Sequence, residues 1–213
     1  MYLSNYRRTL KLLGHLCLKP VNILPYIRLS LTRKTPLELG LPWWSIGAIR
    51  EMEKHLDGNQ RVFEWGSGGS SLFMANRSKQ VTTVEQDVEW HTKILMLIRT
   101  QKIDNLDVLA REINLGGKEA FLNCPYAKAL DSTYDVIIID GEDHFGPDSN
   151  WSARETCFAL AEKWIDPKDG IIVVDDSWRY PAIRQTTNAK QIVIHESIGP
   201  CRKGVTSTDF HYY

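Results

Sequence analysis

From Pro42 onward the apolar positions of the chain switch repeatedly between a helical and a strand period. Ser45 is suited to cap a helix in which Ile46, Ile49, Met52, Glu53 and Leu56 recur, and Asp57, Gly58 and Asn59 end it. Arg61 to Trp65 reads as a short buried strand, followed by a glycine and serine turn, a helix from about Ser71 to Arg77 and a second strand from Gln80 to Glu85. Val88 to Gln101 predicts a helix, Leu106 to Ile113 a strand, and Tyr134 to Asp140 a strongly apolar strand. Ser152 to Ile165 predicts a helix with Cys157, Leu160, Ala161 and Trp164 on one side. Gly170 to Asp175 reads as a further apolar strand, Tyr180 to Thr187 as a short helix, and Gln191 to Glu196 as a strand. The β-prone stretch Val205 to Tyr213 follows it closely. Strands alternating with helices imply a parallel sheet covered on both faces, and the closing pair, joined by a glycine and proline loop, implies an antiparallel edge.

Length and composition narrow this picture. A chain of 213 residues, 43% hydrophobic and 24% charged, is expected to form one globular domain with at most a short appendage. A core of that size needs neither a disulfide framework nor a structural metal. Cys17, Cys124, Cys157 and Cys201 are far apart and form no CxxC pair, so reduced thiols and a cytoplasmic location are expected. Every apolar run is interrupted by Arg, Lys, His, Asn or Pro well short of a membrane span.

The net charge of zero conceals an asymmetry. Residues 1 to 36 hold Arg7, Arg8, Lys11, Lys19, Arg28, Arg33 and Lys34 and no acid, whereas residues 37 to 213 hold the other 19 basic residues and all 26 acidic ones. The chain therefore reads as a basic N-terminal arm, residues 1 to 42, on an acidic body, residues 43 to 213. Leu10, Leu13 and Leu16 follow helical spacing in the arm until Pro20 and Pro25 interrupt it. Such a helix can dock on the acidic body or on the partner of a homodimer, or lie on an anionic membrane surface, which would make the protein membrane-associated; a nucleic-acid contact or a targeting signal is the remaining alternative. The acidic body offers no basic groove, so nucleic acid is not expected as a substrate.

The segment with most chemical content is Val62 to Ser71, VFEWGSGGSS. A glycine-rich turn between a strand and a helix lets a ligand approach the backbone and exposes amides at the helix start. The dinucleotide fingerprint GxGxxG would need glycine at position 71, where Ser71 stands, which weighs against a nucleotide-dependent oxidoreductase. Glu64 precedes the turn by two residues, where a carboxylate would repel a pyrophosphate and attract a cationic ligand such as a sulfonium with its ammonium group. Glu85 ends the next strand, where a carboxylate can accept hydrogen bonds from both hydroxyls of a ribose.

With these residues the chain resembles the class I S-adenosylmethionine-dependent methyltransferases, in particular bacterial proteins with an FEWGSGGS-type loop. EWGSGGSS resembles that family's acidic, glycine-rich nucleotide loop, departing from it at Ser70, where a last glycine is most common. VEQD resembles the ribose-binding strand end, DVIIIDGED the fourth strand and GIIVVDDSW the fifth. The resemblance spans roughly Trp43 to Tyr213 and implies a Rossmann-like, doubly wound α/β fold. The sheet would have seven mostly parallel strands in the order 3-2-1-4-5-7-6, with an antiparallel last strand. It implies S-adenosyl-L-methionine as cofactor, held by Glu64, Gly66, Ser67, Gly68, Gly69, Ser70 and Glu85, with Glu64 near the ammonium through backbone or water. Adenine would lie near Gln86, Glu112 and Ile113.

Groups able to orient or deprotonate an acceptor gather at the ends of the fourth and fifth strands. Asp140, Asp143 and His144 stand on one loop, and Asp175, Asp176 and Ser177 on the other. His144, Asp140 and Asp176 are the expected catalytic residues, Asp140 also bordering the cofactor. Asp140, Asp175 and Asp176 also resemble the Mg2+ site of catechol-type O-methyltransferases, although Ser177 stands where that group commonly has an amide. Arg154, Trp151, Trp178 and Arg179 are candidates to frame an acceptor, together with the loop Ser197 to Gly204 carrying Cys201, Arg202 and Lys203. Trp43 and Trp44 either roof the cofactor or pack on the sheet. The expected activity is methylation of a small molecule or glycan, with oxygen favoured as acceptor atom; the alternatives are an inert scaffold of the same fold and an oxidoreductase.

Overall fold

The computed structural model describes residues 5–144 and 150–213. Its centre is a seven-stranded sheet in the order β3-β2-β1-β4-β5-β7-β6, formed by β1 (Arg61–Trp65), β2 (Gln80–Glu85), β3 (Leu106–Ala110), β4 (Val136–Ile139), β5 (Ile171–Asp175), β6 (Gln191–Ile198) and β7 (Val205–Tyr212). The first five strands are parallel, and β7 runs antiparallel to both β5 and β6. This is the order and polarity that the resemblance implied.

The helices in chain order are α1 (Asn5–Leu18), α2 (Ile23–Pro25), α3 (Pro36–Leu39), α4 (Ile46–His55), α5 (Gly69–Ala75), α6 (Val88–Gln101), α7 (Lys118–Asn123), α8 (Ala153–Ala161) and α9 (Ile183–Thr186). Their starts follow local chemistry: Ser45, Asp87 and Ser152 each accept a backbone hydrogen bond as N-caps of α4, α6 and α8. Residues two apart on a strand share a face, and this divides the core. Val62, Val136, Ile138, Ile171 and Val173 face α4, α5 and α6, while Phe63, Trp65, Ile137, Ile139, Ile172 and Val174 face α8 and the α7 region. All four side chains of β4 are wholly buried, each stabilising the fold by about 1.5–3 kcal/mol. That double-sided burial is why β4 carries an unbroken apolar run.

Several elements differ from the sequence reading. α5 begins at Gly69, two residues before its expected start, because the glycine turn itself supplies the first helical residues. β3 stops at Ala110 rather than Ile113, and α7 fills part of a stretch in which the pattern indicated no element. On α8 the buried side is Ala153, Thr156, Cys157, Phe158 and Ala161, whereas Trp164 lies beyond the helix and is 37% exposed. On α1 the inward residues are Leu12 and Leu16, packed against Ile46 and Ile198, while Leu10 and Leu13 face outward. The leucine spacing was helical as expected, but the stripe that meets the body is its neighbour.

Candidate functional site

The strand order reverses between β1 and β4, the switch point at whose carboxyl side open α/β sheets bind their ligands. Gly66 follows β1 at a φ of +100°, a conformation that favours glycine, and a Cβ there would lie 3.0 Å from the carbonyl oxygen of Asp140 at the end of β4. The two strand ends thus meet at Gly66. Thr83 of β2 donates its hydroxyl to the Gly66 carbonyl, closing the turn from the other side.

Glu64 lies on the β1 face turned toward α5, and it is 1% exposed. Ser70 Oγ donates to one carboxylate oxygen, and Ser71 Oγ donates to the other at 2.5 Å. The amide of Gly68 in turn donates to Ser71 Oγ at 3.0 Å. Burial pushes the Glu64 carboxyl up to about 7, against the two serine hydrogen bonds that favour its charge and with a small further push from Glu85. The group expected beside a ligand ammonium is therefore committed to the shape of the loop. Ser71, whose presence broke the dinucleotide fingerprint, is part of that tie.

Glu85 is also buried, but its partners leave acceptor capacity. One oxygen accepts the amides of Gln86 at 2.9 Å and Asp87 at 3.0 Å, and the other accepts Ser67 Oγ at 2.6 Å. Trp90 of α6 donates its Nε1 to the Ser67 carbonyl at 2.9 Å. Beside them the Oε1 of Gln86 is buried without a hydrogen-bond partner among the described residues. An adenosine offers donors of the kind these acceptors lack. Above Gly68 the Cβ direction is open, with nothing of the described residues within 4 Å, whereas a Cβ on Gly69 would run into the carbonyls of Leu41 and Pro36. The segment from α3 to Leu41 thus covers one side of the loop and leaves the other open. Glu112 is exposed beyond the end of β3, and its carbonyl accepts the amide of Tyr126, so strand pairing does not hold its side chain.

At the ends of β4 and β5 the acids are tied to two arginines. Arg154 of α8 donates to the carbonyls of Gly141 at 2.7 Å, Asp140 at 3.1 Å and Asp175 at 3.2 Å, and pairs with the Asp140 carboxylate at 3.3 Å. Through these contacts it clamps the ends of the two strands. Arg202 bridges Asp176 at 2.7 Å and Asp175 at 3.3 Å, and its guanidinium lies over the Trp43 ring at 4.6 Å. Burial raises the Asp140 carboxyl to about 6 against the attraction of Arg154, and burial raises that of Asp175 as well. For Asp176 burial acts in the same direction, but Arg202 and Thr206 overcome it and hold the group below its usual value. Asp176 also sits at a φ of +49°, the left-handed conformation that aspartate tolerates better than most residues.

The magnesium expectation finds no support in these pairings. A hard dication needs several oxygens converging on one point, and here each of the three carboxylates is paired with a guanidinium group. Among the described residues no group of three or more His, Cys, Asp or Glu is arranged to hold a metal.

His144 stacks on Trp151, ring centroids 6.1 Å apart, and its amide donates to Asp143 at 2.7 Å. Asp143 is buried, accepting from Ser152 Oγ and the Ala153 amide at the start of α8. Trp44 is fully buried against Phe210 and belongs to the core, while Trp43 is half-exposed. Trp43, Trp178, Arg179, Arg202 and Lys203 line a cleft of about 650 Å3 that Arg8 and Lys11 of α1 reach from above, with Asp176 on its wall. Thr83, Trp90 and the cover from α3 to Leu41 have no signal in local sequence, because each reaches the loop from a different element.

No family model matches the chain, and no curated protein matches its sequence. Solved structures do share its architecture. A protein assigned as an O-methyltransferase from Klebsiella pneumoniae superposes with a TM-score of 0.58 at 13% identity, covering 97% of this chain and 98% of that one. One assigned as a methyltransferase from Streptococcus mutans, solved in complex with SAH, gives 0.53 at 11% identity over 85% of this chain and 100% of that one. One assigned as an rRNA methylase from Clostridium thermocellum gives 0.54 at 10% identity over 80% and 98%. The chain has the class I S-adenosylmethionine-dependent methyltransferase fold. At these identities the likeness is one of fold, and the chemistry must be argued from the side chains.

Proposed function

We propose that the protein is an S-adenosylmethionine-dependent methyltransferase that acts on a small molecule or glycan, at oxygen. The observation that carries this reading is the join between Ser67 and Glu85. It fixes the glycine loop after β1 to a strand-end carboxylate on β2, leaving an open Gly68 face and the unpartnered Gln86 Oε1 beside it. In this reading Gly66, Ser67, Gly68, Gly69 and Ser70 present the loop backbone, Glu64 holds its shape, and Glu85 and Gln86 receive the nucleoside. The cofactor, when bound, supplies an electrophilic methyl group on a sulfonium centre.

The chain's own work is to hold an acceptor in line and to take its proton. Asp140, raised to about 6, is a carboxylate near neutral pH with enough basicity to accept that proton, and His144 on the same loop is a second base. Asp176, held ionised by Arg202, positions charge and is a poor proton acceptor. The cleft beside Asp176 pairs two tryptophans with several cations, a lining that suits the face of a sugar or another ring bearing an anionic substituent. Cys17, Cys124, Cys157 and Cys201 are all free thiols, which agrees with a reducing, cytoplasmic setting.

Thermal unfolding with S-adenosylmethionine, S-adenosylhomocysteine and NADH tests the cofactor class. Saturation at one hundred times Kd adds about 2.7 kcal/mol of stability. A shift with either adenosyl compound and none with NADH is the expected result; a shift with NADH alone, or none with any of the three, overturns the reading. Transfer of a labelled methyl group to a panel of glycans and phenolic or carboxylic small molecules then tests the acceptor.

A further inference from the structure

We infer that the outer face of the N-terminal helices is a docking surface for an anionic lipid bilayer. Tyr6, Leu10, Leu13 and Cys17 recur at intervals of four, three and four residues and form one stripe along α1, all exposed, with Tyr6 at 72%. This stripe runs alongside the one formed by Leu12 and Leu16, which meets the body. The next turns continue it: Val21, Ile23, Leu24, Ile27 and Leu31 are each at least 45% exposed, while Asn22 and Ser30 point inward to Ser197 and Gly199. So large an exposed apolar face on a single chain marks an interaction site.

Its charge selects the occupant. Arg7, Lys19 and Arg28 are exposed within the same turns, and residues 1 to 36 carry seven basic side chains and no acid. Apolar side chains entering the acyl boundary, flanked by cations at headgroup level, match an anionic membrane surface. A second copy of the chain fits less well, because pairing the same face about a two-fold axis sets like charges against each other. Among the described residues no helix is long and apolar enough to cross a membrane, so the contact is one of lying on the surface.

Sedimentation of the full chain with vesicles tests this. At 0.1 M salt the bound fraction on vesicles with 30% phosphatidylserine should exceed that on pure phosphatidylcholine by about tenfold or more, and 0.5 M salt should remove most of it. Leu13→Glu and Val21→Glu replace exposed residues, and they should abolish binding while leaving the melting temperature in place. Equal sedimentation with and without vesicles overturns the inference. So does a stable dimer in light scattering that Leu13→Glu converts to monomer, which would assign the face to a second copy. The wild-type salt arm decides the matter even if a variant fails to fold.

Discussion

Ser71 donates a 2.5 Å hydrogen bond to Glu64, tying the first turn of α5 to the end of β1 through a carboxylate that is 1% exposed. The same hydroxyl accepts the amide of Gly68, so loop and strand hold each other.

Because burial lifts Glu64 to about 7, the folded chain keeps a proton there that the unfolded chain releases above its ordinary value of 4.5. Stability should therefore fall as pH rises between these two values, by on the order of 3 kcal/mol from this group. Glu64→Gln should flatten that part of the profile. Urea unfolding of both proteins at pH 5 and pH 8 measures it, and parallel losses in the two would show that Glu64 titrates normally.

Glu85→Ala removes the acceptor of Ser67 and of two amides on the loop after β2. The fold should survive, since Glu85 stands at a strand end, but affinity for S-adenosylhomocysteine should drop about tenfold to a hundredfold. Calorimetry gives the affinity and a melt gives the fold; unchanged affinity would take Glu85 out of the site.

Adjacent glycines should respond in opposite ways. Gly68 has extended backbone and open space, so Gly68→Ala should leave stability within about 0.5 kcal/mol while weakening cofactor binding. A methyl on Gly69 would press on Pro36 and Leu41, so Gly69→Ala should destabilise by about 1–3 kcal/mol. Chemical denaturation of the pair separates the two, and equal stabilities would mean that the cover from α3 to Leu41 yields freely.

Arg202→Ala leaves Asp175 and Asp176 without their shared cation, with an expected loss of about 2–4 kcal/mol at pH 7. The Asp176 carboxyl is held low in the folded chain, so its contribution is complete above the ordinary value of 3.8 and is lost as pH falls below it. The variant should accordingly show a weaker loss of stability on acidification. Unfolding from pH 6 to pH 3 would expose the error if the two curves ran parallel.

The strands, most helices, the glycine loop and both strand-end carboxylates were legible in the sequence, because they depend on periods of two and 3.6 residues and on turn chemistry within a few positions. Val62 to Ser71 carries its own signal. So does the unbroken apolar run of β4, whose burial on both faces of the sheet leaves room for nothing polar.

The roles of the charged side chains were decided only in three dimensions. Nothing near Glu64 in the chain says whether it faces a ligand or the serines of the next helix. Arg154 clamps strand ends, a role no local pattern shows, because the crossover returns α8 to the carboxyl ends of β4 and β5. Arg202 comes from the β6–β7 hairpin to neutralise acids at the end of β5, a pairing no local pattern encodes. Local order follows from backbone geometry and hydrophobic spacing, which act over a few residues. Charge partners and exposed faces follow from which distant segments the fold brings within hydrogen-bond reach.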